Sequence, residues 1–176
     1  MDEGLLLLRL LIGSVLLAHA AQKSLGWFQG QGLNIMSGIF ESLGLRPGRV
    51  MVRTASIAEA LAGLSLLLGL FLPLGAAAAA GTMAVAGAVS QLKAGSFWNA
   101  AGGGEYPFVL AAAASGLAFT GAGAFSADAL LAERFPGLAS LLGGTAVGTA
   151  AVLLAAVAAL VFLTLVRRRT AESPTA

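Results

Sequence analysis

Cysteine is absent from the 176 residues and histidine occurs once. Without thiols there is no disulfide relay, no thiolate-held iron–sulfur cluster and no covalent haem attachment, and a single imidazole cannot give bis-histidine haem ligation within one chain. No haem, iron–sulfur cluster or metal is therefore expected, and any redox work must use a diffusible carrier or a partner. Charge is the second scarcity. Only 10% of residues are charged against 58% hydrophobic, with a mean hydropathy of +0.90, whereas a soluble domain carries about a quarter of its residues charged. The composition is that of an integral membrane protein.

A net charge of +2 might invite a nucleic-acid partner, but the positions of the basic residues account for it differently. Lys23, Arg46, Arg49, Arg53, Lys93, Arg167, Arg168 and Arg169 fall at one set of alternate span ends, and only Arg9 and Arg134 fall toward the other. This is positive-inside bias. It predicts an N-terminus outside and a C-terminus in the cytoplasm of a multi-pass membrane protein, with no nucleic-acid partner.

What the chain does contain is long apolar runs, with spans expected over about residues 5–25, 50–72, 74–92, 107–125 and 138–166. The run from Val50 to Leu72 holds one acid, Glu59, which lies roughly 8–14 Å along the helix from its charged end, within a hydrocarbon layer about 30 Å thick. A lone charge near that depth costs about 2.5–3.5 kcal/mol on insertion scales, so it should face protein or water. Ala55, Ala58, Ala62, Ser65 and Gly69 form a stripe of small side chains beside Glu59 and predict close approach of a neighbouring helix.

In the first span, Arg9, Gly13, Leu16, His19, Ala20 and Lys23 fall within roughly a 120° arc at 100° per residue, so the ionisable groups share a face that should look at Glu59. Ala18-His19-Ala20 follows an apolar run as a secretory cleavage site would. The leading Met1-Asp2-Glu3 lacks a positive region, however, and Arg9 interrupts the apolar run. Residues 33–43 read as a short amphipathic helix lying on the membrane, stopped at Gly44, and Trp27 and Phe28 as interfacial aromatics. Leu72-Pro73-Leu74 leaves room only for a tight turn.

The stretch AGSFWNAAGGGEYP, Ala94 to Pro107, combines glycines, aromatic rings and the polar Ser96, Asn99, Glu105 and Tyr106. It lacks the flanking strand and Lys-Ser/Thr of a phosphate loop. Ser126 should cap a short helix over Ala127 to Arg134, with Asp128 in its first turn. The last span is uncharged and reads as peripheral, and Thr170 to Ala176 as a mobile tail.

Three stretches resemble the DoxX family of small bacterial and archaeal membrane proteins: LLRLLIGSVLLAHAAQKSLGWF, IAEALAGLSLLLGLFLPLGA and GSFWNAAGGGEYPFVLAAAA. With GAGAFSADALL they cover roughly residues 5 to 131. The resemblance implies a four-helix membrane bundle, and some relatives are described as subunits of thiosulfate:quinone oxidoreductase or as partners of redox enzymes. The family's polar pattern maps onto Arg9, His19, Lys23, Glu59, Asn99, Glu105 and Tyr106.

The expected fold is an all-α antiparallel four-helix transmembrane bundle over residues 1–131, followed over 132–176 by an interfacial segment, a fifth transmembrane helix and a short tail. The expected site is one polar pocket where those seven residues converge, suited to a quinone or to proton relay in an oxidoreductase subunit. Two alternatives stay open: a non-enzymatic anchor or assembly factor for a redox partner, and a small transporter or proton pathway. Each residue also has a plainer role, with Arg9 and Lys23 snorkelling, His19 packing, Glu59 paired for assembly, and Asn99, Glu105 and Tyr106 capping or anchoring. The partners are then the lipid bilayer, a redox-enzyme subunit and a second copy of the chain.

Overall fold

The computed structural model describes residues 1–171 and contains helices and loops, with no strand among them. The helices are α1 (Asp2–Ser24), α2 (Gly32–Ser42), α3 (Gly48–Leu68), α4 (Leu72–Ala94), α5 (Glu105–Thr120), α6 (Ala127–Arg134) and α7 (Thr145–Ala171), with 3-10 turns at Asn99–Ala101 and Pro136–Leu141. Four of them, α1, α3, α4 and α7, are long and apolar enough to cross a membrane. Most of the tail expected to be mobile lies outside the described residues.

Where the elements differ from expectation, backbone chemistry supplies the reason. The span expected to reach Phe125 stops at Thr120, because Gly121 and Gly123 take φ of +70° and +74° and the carbonyls of Ala122 and Phe125 turn to Arg9 instead of continuing a helix. At 16 residues, α5 is about 24 Å long. The last span begins at Thr145 rather than Leu138. The 3-10 turn after Pro136 and Gly144, at φ +99°, intervene. The turn before α4 is made three residues earlier than Leu72-Pro73-Leu74: Gly69 and Phe71 adopt φ of +60° and +48°, and Pro73 enters the first turn of α4, where its missing N–H is harmless.

Helix α1 packs on α3, α3 on α4 and α4 on α5, while α7 lies against α4 and α5, and α2 against α3. Leu16, Leu66, Leu72, Ala76, Ala79, Ala114 and Ala118 are buried in one apolar core. The tightest crossing joins α1 and α3 at Gly13 and Gly63: a Cβ added to either would stand 2.8 Å from the other's carbonyl oxygen. The expected small-residue stripe is therefore divided. Ala62 is buried in the core and Ser65 lies beside Gly75 of α4, but Ala55 and Ala58 border a cavity instead of a helix.

As expected, α2 has an apolar side and no buried residue, and Gly44 follows it at φ +80°. It is tied down at its C-terminal end. Glu41 Oε1 accepts from the Gly48 amide at 3.0 Å, and Lys93 at the end of α4 donates to Ser42 Oγ at 3.2 Å. Helix α7 contributes Ala151, Ala155 and Ala159, one buried residue per turn, with its other faces largely exposed.

Candidate intramembrane site

Lys23 sits in the last turn of α1, where a cation complements the helix dipole, and its ammonium is paired with Glu59 Oε1 of α3. Glu59 is fully buried. Its second oxygen, Oε2, has no hydrogen-bond partner, and neither does the buried Ser56 hydroxyl three residues earlier on the same helix. Buried polar atoms are nearly always satisfied, and leaving one unmade costs about 1–3 kcal/mol. Two of them within one turn mark a place where the fold has not completed its own hydrogen bonding.

Beside the pair lies a cavity of about 710 Å³ between α2, α3, α4 and α7. Its walls are largely apolar, formed by side chains such as Met36, Phe40, Ala58, Ala78, Val85 and Phe162, and Lys23 and Glu59 are its charged residues. That volume falls in the range of small-molecule sites, about 300–1,000 Å³, as does the pattern of an apolar wall with few placed polar groups.

His19 lies one turn before Lys23. Its Nδ1 is 3.1 Å from Gln22 Oε1, its ring centroid is 5.8 Å from that of Tyr106 on α5, and it is close enough to Lys23 and Glu59 to feel their charges. Neither His19 nor Tyr106 borders the cavity. In the glycine-rich loop, Glu105 Oε2 accepts from the Asn99 amide at 2.9 Å, so these two shape the loop and stand apart from the ion pair. Stacked Phe97 and Phe108, 6.2 Å apart, hold the same loop against α5.

Arg9 does not join this site. It is fully buried at the opposite end of the molecule, where Nη1 donates to the Ala122 carbonyl at 2.5 Å and Nη2 to that of Phe125 at 2.6 Å. Gly69, whose added Cβ would collide with this guanidinium, lies ten residues or about 15 Å along α3 from Glu59. The shared helical face is real, since Arg9, Gly13, Leu16 and Ala20 are all buried. Angle around a helix says nothing of height along it, and the seven expected residues divide into the Lys23–Glu59 pair, the adjoining His19–Tyr106 contact, the Asn99–Glu105 loop and a distant Arg9.

Asp128 was legible only as a first-turn acid. Its carboxylate, 3% exposed, accepts from the amides of Phe71 at 2.7 Å and Leu72 at 2.9 Å, the turn between α3 and α4. Ser126 does cap α6, accepting from the Ala129 amide at 3.1 Å. Ser56 and the small residues of α7 that wall the cavity carried no signal in the sequence.

Comparison with curated proteins and with solved structures gave no significant match. A family model described as DoxX matches residues 4–91, half of the chain, while the glycine-rich loop and α5 to α7 lie beyond it. That stretch runs from the first turn of α1 to the last turn of α4 and includes both members of the buried ion pair, and on this match the chain belongs to the DoxX family.

Proposed function

We propose that this membrane protein is the quinone-handling subunit of an oxidoreductase system, with the cavity beside Lys23 and Glu59 as its site. The observation that carries the reading is the unpartnered, buried Glu59 Oε2, on a residue that lines an apolar cavity large enough for a quinone head. The donor set fits the group. Lys23 offers N–H donors to a quinone carbonyl oxygen, and Glu59 Oε2 accepts from a quinol hydroxyl. A bound quinone supplies two-electron redox chemistry. Lys23 and Glu59 orient its head and hold a proton at the carboxylate, while the surrounding apolar wall excludes water. His19 and Tyr106, next to the pair, lie between it and the loop end of α5. Electrons come from a partner that carries the metal or cofactor, because a chain with no cysteine and one histidine lacks the ligands to hold them itself.

In this reading α5 completes a five-crossing topology. It starts beside His19, with Tyr106 near the inner end of α1, and two residues past its last residue the Ala122 carbonyl meets Arg9 near the outer end. The N-terminus is then outside, and Lys23, Arg46, Arg49, Arg53, Lys93 and Arg168 lie on the cytoplasmic side of the inner membrane.

The test is retention of endogenous quinone after gentle detergent extraction. Quinone should copurify with the wild-type protein and fall at least tenfold in Glu59→Gln, with helicity retained. Equal retention in both proteins overturns the reading and leaves the chain as an anchor for its partner.

A further inference from the structure

The loop that leaves α1 is bent back on the helix it comes from. Phe28 and Gln29 both take left-handed φ, +52° and +62°, which residues with a side chain adopt only at a cost, and the Gly30 amide closes the turn by donating to the Trp27 carbonyl at 2.8 Å. Gly30 lies so close to α1 that an added Cβ would collide with Gln22. What the bend delivers to the helix is one carbonyl. The Phe28 oxygen accepts from Gln22 Nε2 at 3.2 Å.

That bond settles which way the Gln22 amide faces. With its NH2 group turned to a carbonyl, the other end of the amide is an oxygen that can only accept, and it stands 3.1 Å from His19 Nδ1, three residues earlier on α1. The reverse orientation would set the amide oxygen against the Phe28 oxygen. Nδ1 must therefore carry a hydrogen, and in a neutral imidazole a hydrogen on one nitrogen leaves the other bare. The bare atom is Nε2, which has no hydrogen-bond partner among the described residues. When Nε2 takes a proton, Nδ1–H donates to Gln22 as before, so the ring gains and loses a proton without turning. The ionisable side chains around it are Lys23 on α1, Glu59 on α3 and Tyr106 on α5.

We propose that Gln22 is a positioning residue: it holds the chain's one histidine in the Nδ1–H form and so makes His19 Nε2 the proton-exchanging atom beside the Lys23–Glu59 pair. This deepens the reading above and rests on it only for what the proton serves. A histidine that merely packs against Tyr106 needs neither a fixed tautomer nor the bent loop that fixes it.

The experiment uses the full-length chain in detergent micelles, isotope-labelled at the histidine ring nitrogens and read by NMR, where a single histidine gives a single pair of signals. With the ring neutral, the wild type should carry its hydrogen on Nδ1 in at least tenfold excess over Nε2, and on acidification Nε2 should take up the proton while Nδ1 stays protonated. Gln22→Leu should lose that excess. Gln22→Glu, which restores an acceptor, should keep it, and circular dichroism checks that both variants retain their helices. A wild type with the hydrogen on Nε2, a Gln22→Leu spectrum like that of the wild type, or a ring that takes no proton over the pH range in which the protein stays folded overturns the proposal. The measurement needs no quinone, so the two readings fail separately. If the tautomer is as expected while Glu59→Gln retains its quinone, the quinone reading falls alone; if the tautomer is reversed while Glu59→Gln loses its quinone, the role of Gln22 falls alone.

Discussion

Lys23 and Glu59, from helices that are not consecutive in the chain, are joined through one carboxylate oxygen only, and the other oxygen of Glu59 is buried without a donor. The pair is thus half of a hydrogen-bonding arrangement. Removing the ammonium alone leaves an uncompensated carboxylate in the interior, a change that costs about 3–5 kcal/mol where buried pairs have been broken. Lys23→Met should lower the unfolding free energy by that order, and adding Glu59→Gln should recover most of it. Unfolding in mixed micelles followed by circular dichroism measures both. A Lys23→Met protein as stable as wild type would show that the pair does not hold α1 to α3.

A second prediction concerns the turn between α3 and α4. Asp128 accepts from two consecutive amides there, and hydrogen bonds to charged groups contribute about 1.5–3 kcal/mol each. Asp128→Ala should destabilise by at least one such bond. Asp128→Asn, which keeps one acceptor oxygen, should lose clearly less. Equal melting of the two variants would mean that the charge, not the geometry, is what matters.

Glycine substitutions separate close contact from open space. At Gly63 a Cβ would meet the Gly13 carbonyl oxygen at 2.8 Å, and forcing atoms into a packed interface costs about 1–3 kcal/mol. Gly63→Ala is expected to lower stability by that amount. Gly116→Ala, with nothing within 4 Å of the new methyl, should be neutral or gain up to about 1 kcal/mol from helix propensity. Thermal aggregation in detergent ranks them, and the reverse order would refute the α1–α3 crossing.

Because the chain has no cysteine, topology can be read by adding one at a time. Ser96→Cys, in the loop after α4, should react with an impermeant maleimide only from the cytoplasmic side. Leu138→Cys, in the turn before α7, should react only from outside. Labelling of both from the same side would rule out a membrane-crossing α5.

Legibility of the fold from sequence tracked how local each signal was. Glu59 stood out because a carboxylate inside an apolar run is costly anywhere, and Lys23 was found through the helical face it shares with His19. The Ser126 cap needed only the residues next to it, and α6 occupies the expected range, Ala127 to Arg134. Arg9 was misplaced because periodicity fixes direction around an axis but not depth. The end of α5 was overshot because Gly121 and Gly123 sit in a run as apolar as a helix, and what stops it is a guanidinium more than a hundred residues away. The cavity could not be read at all, since it is made by what α3, α4 and α7 leave unfilled between them.

The Asp128 brace has a consequence for how the protein is made. Its carboxylate lies 56 residues downstream of the Leu72 amide it satisfies, so the α3–α4 hairpin leaves the ribosome and enters the bilayer with its turn unsecured. The hairpin remains provisional until α6 has been made and Asp128 reaches the turn. A truncated product ending before Asp128 should therefore be a better substrate for membrane quality-control proteases than its hydrophobicity alone would indicate.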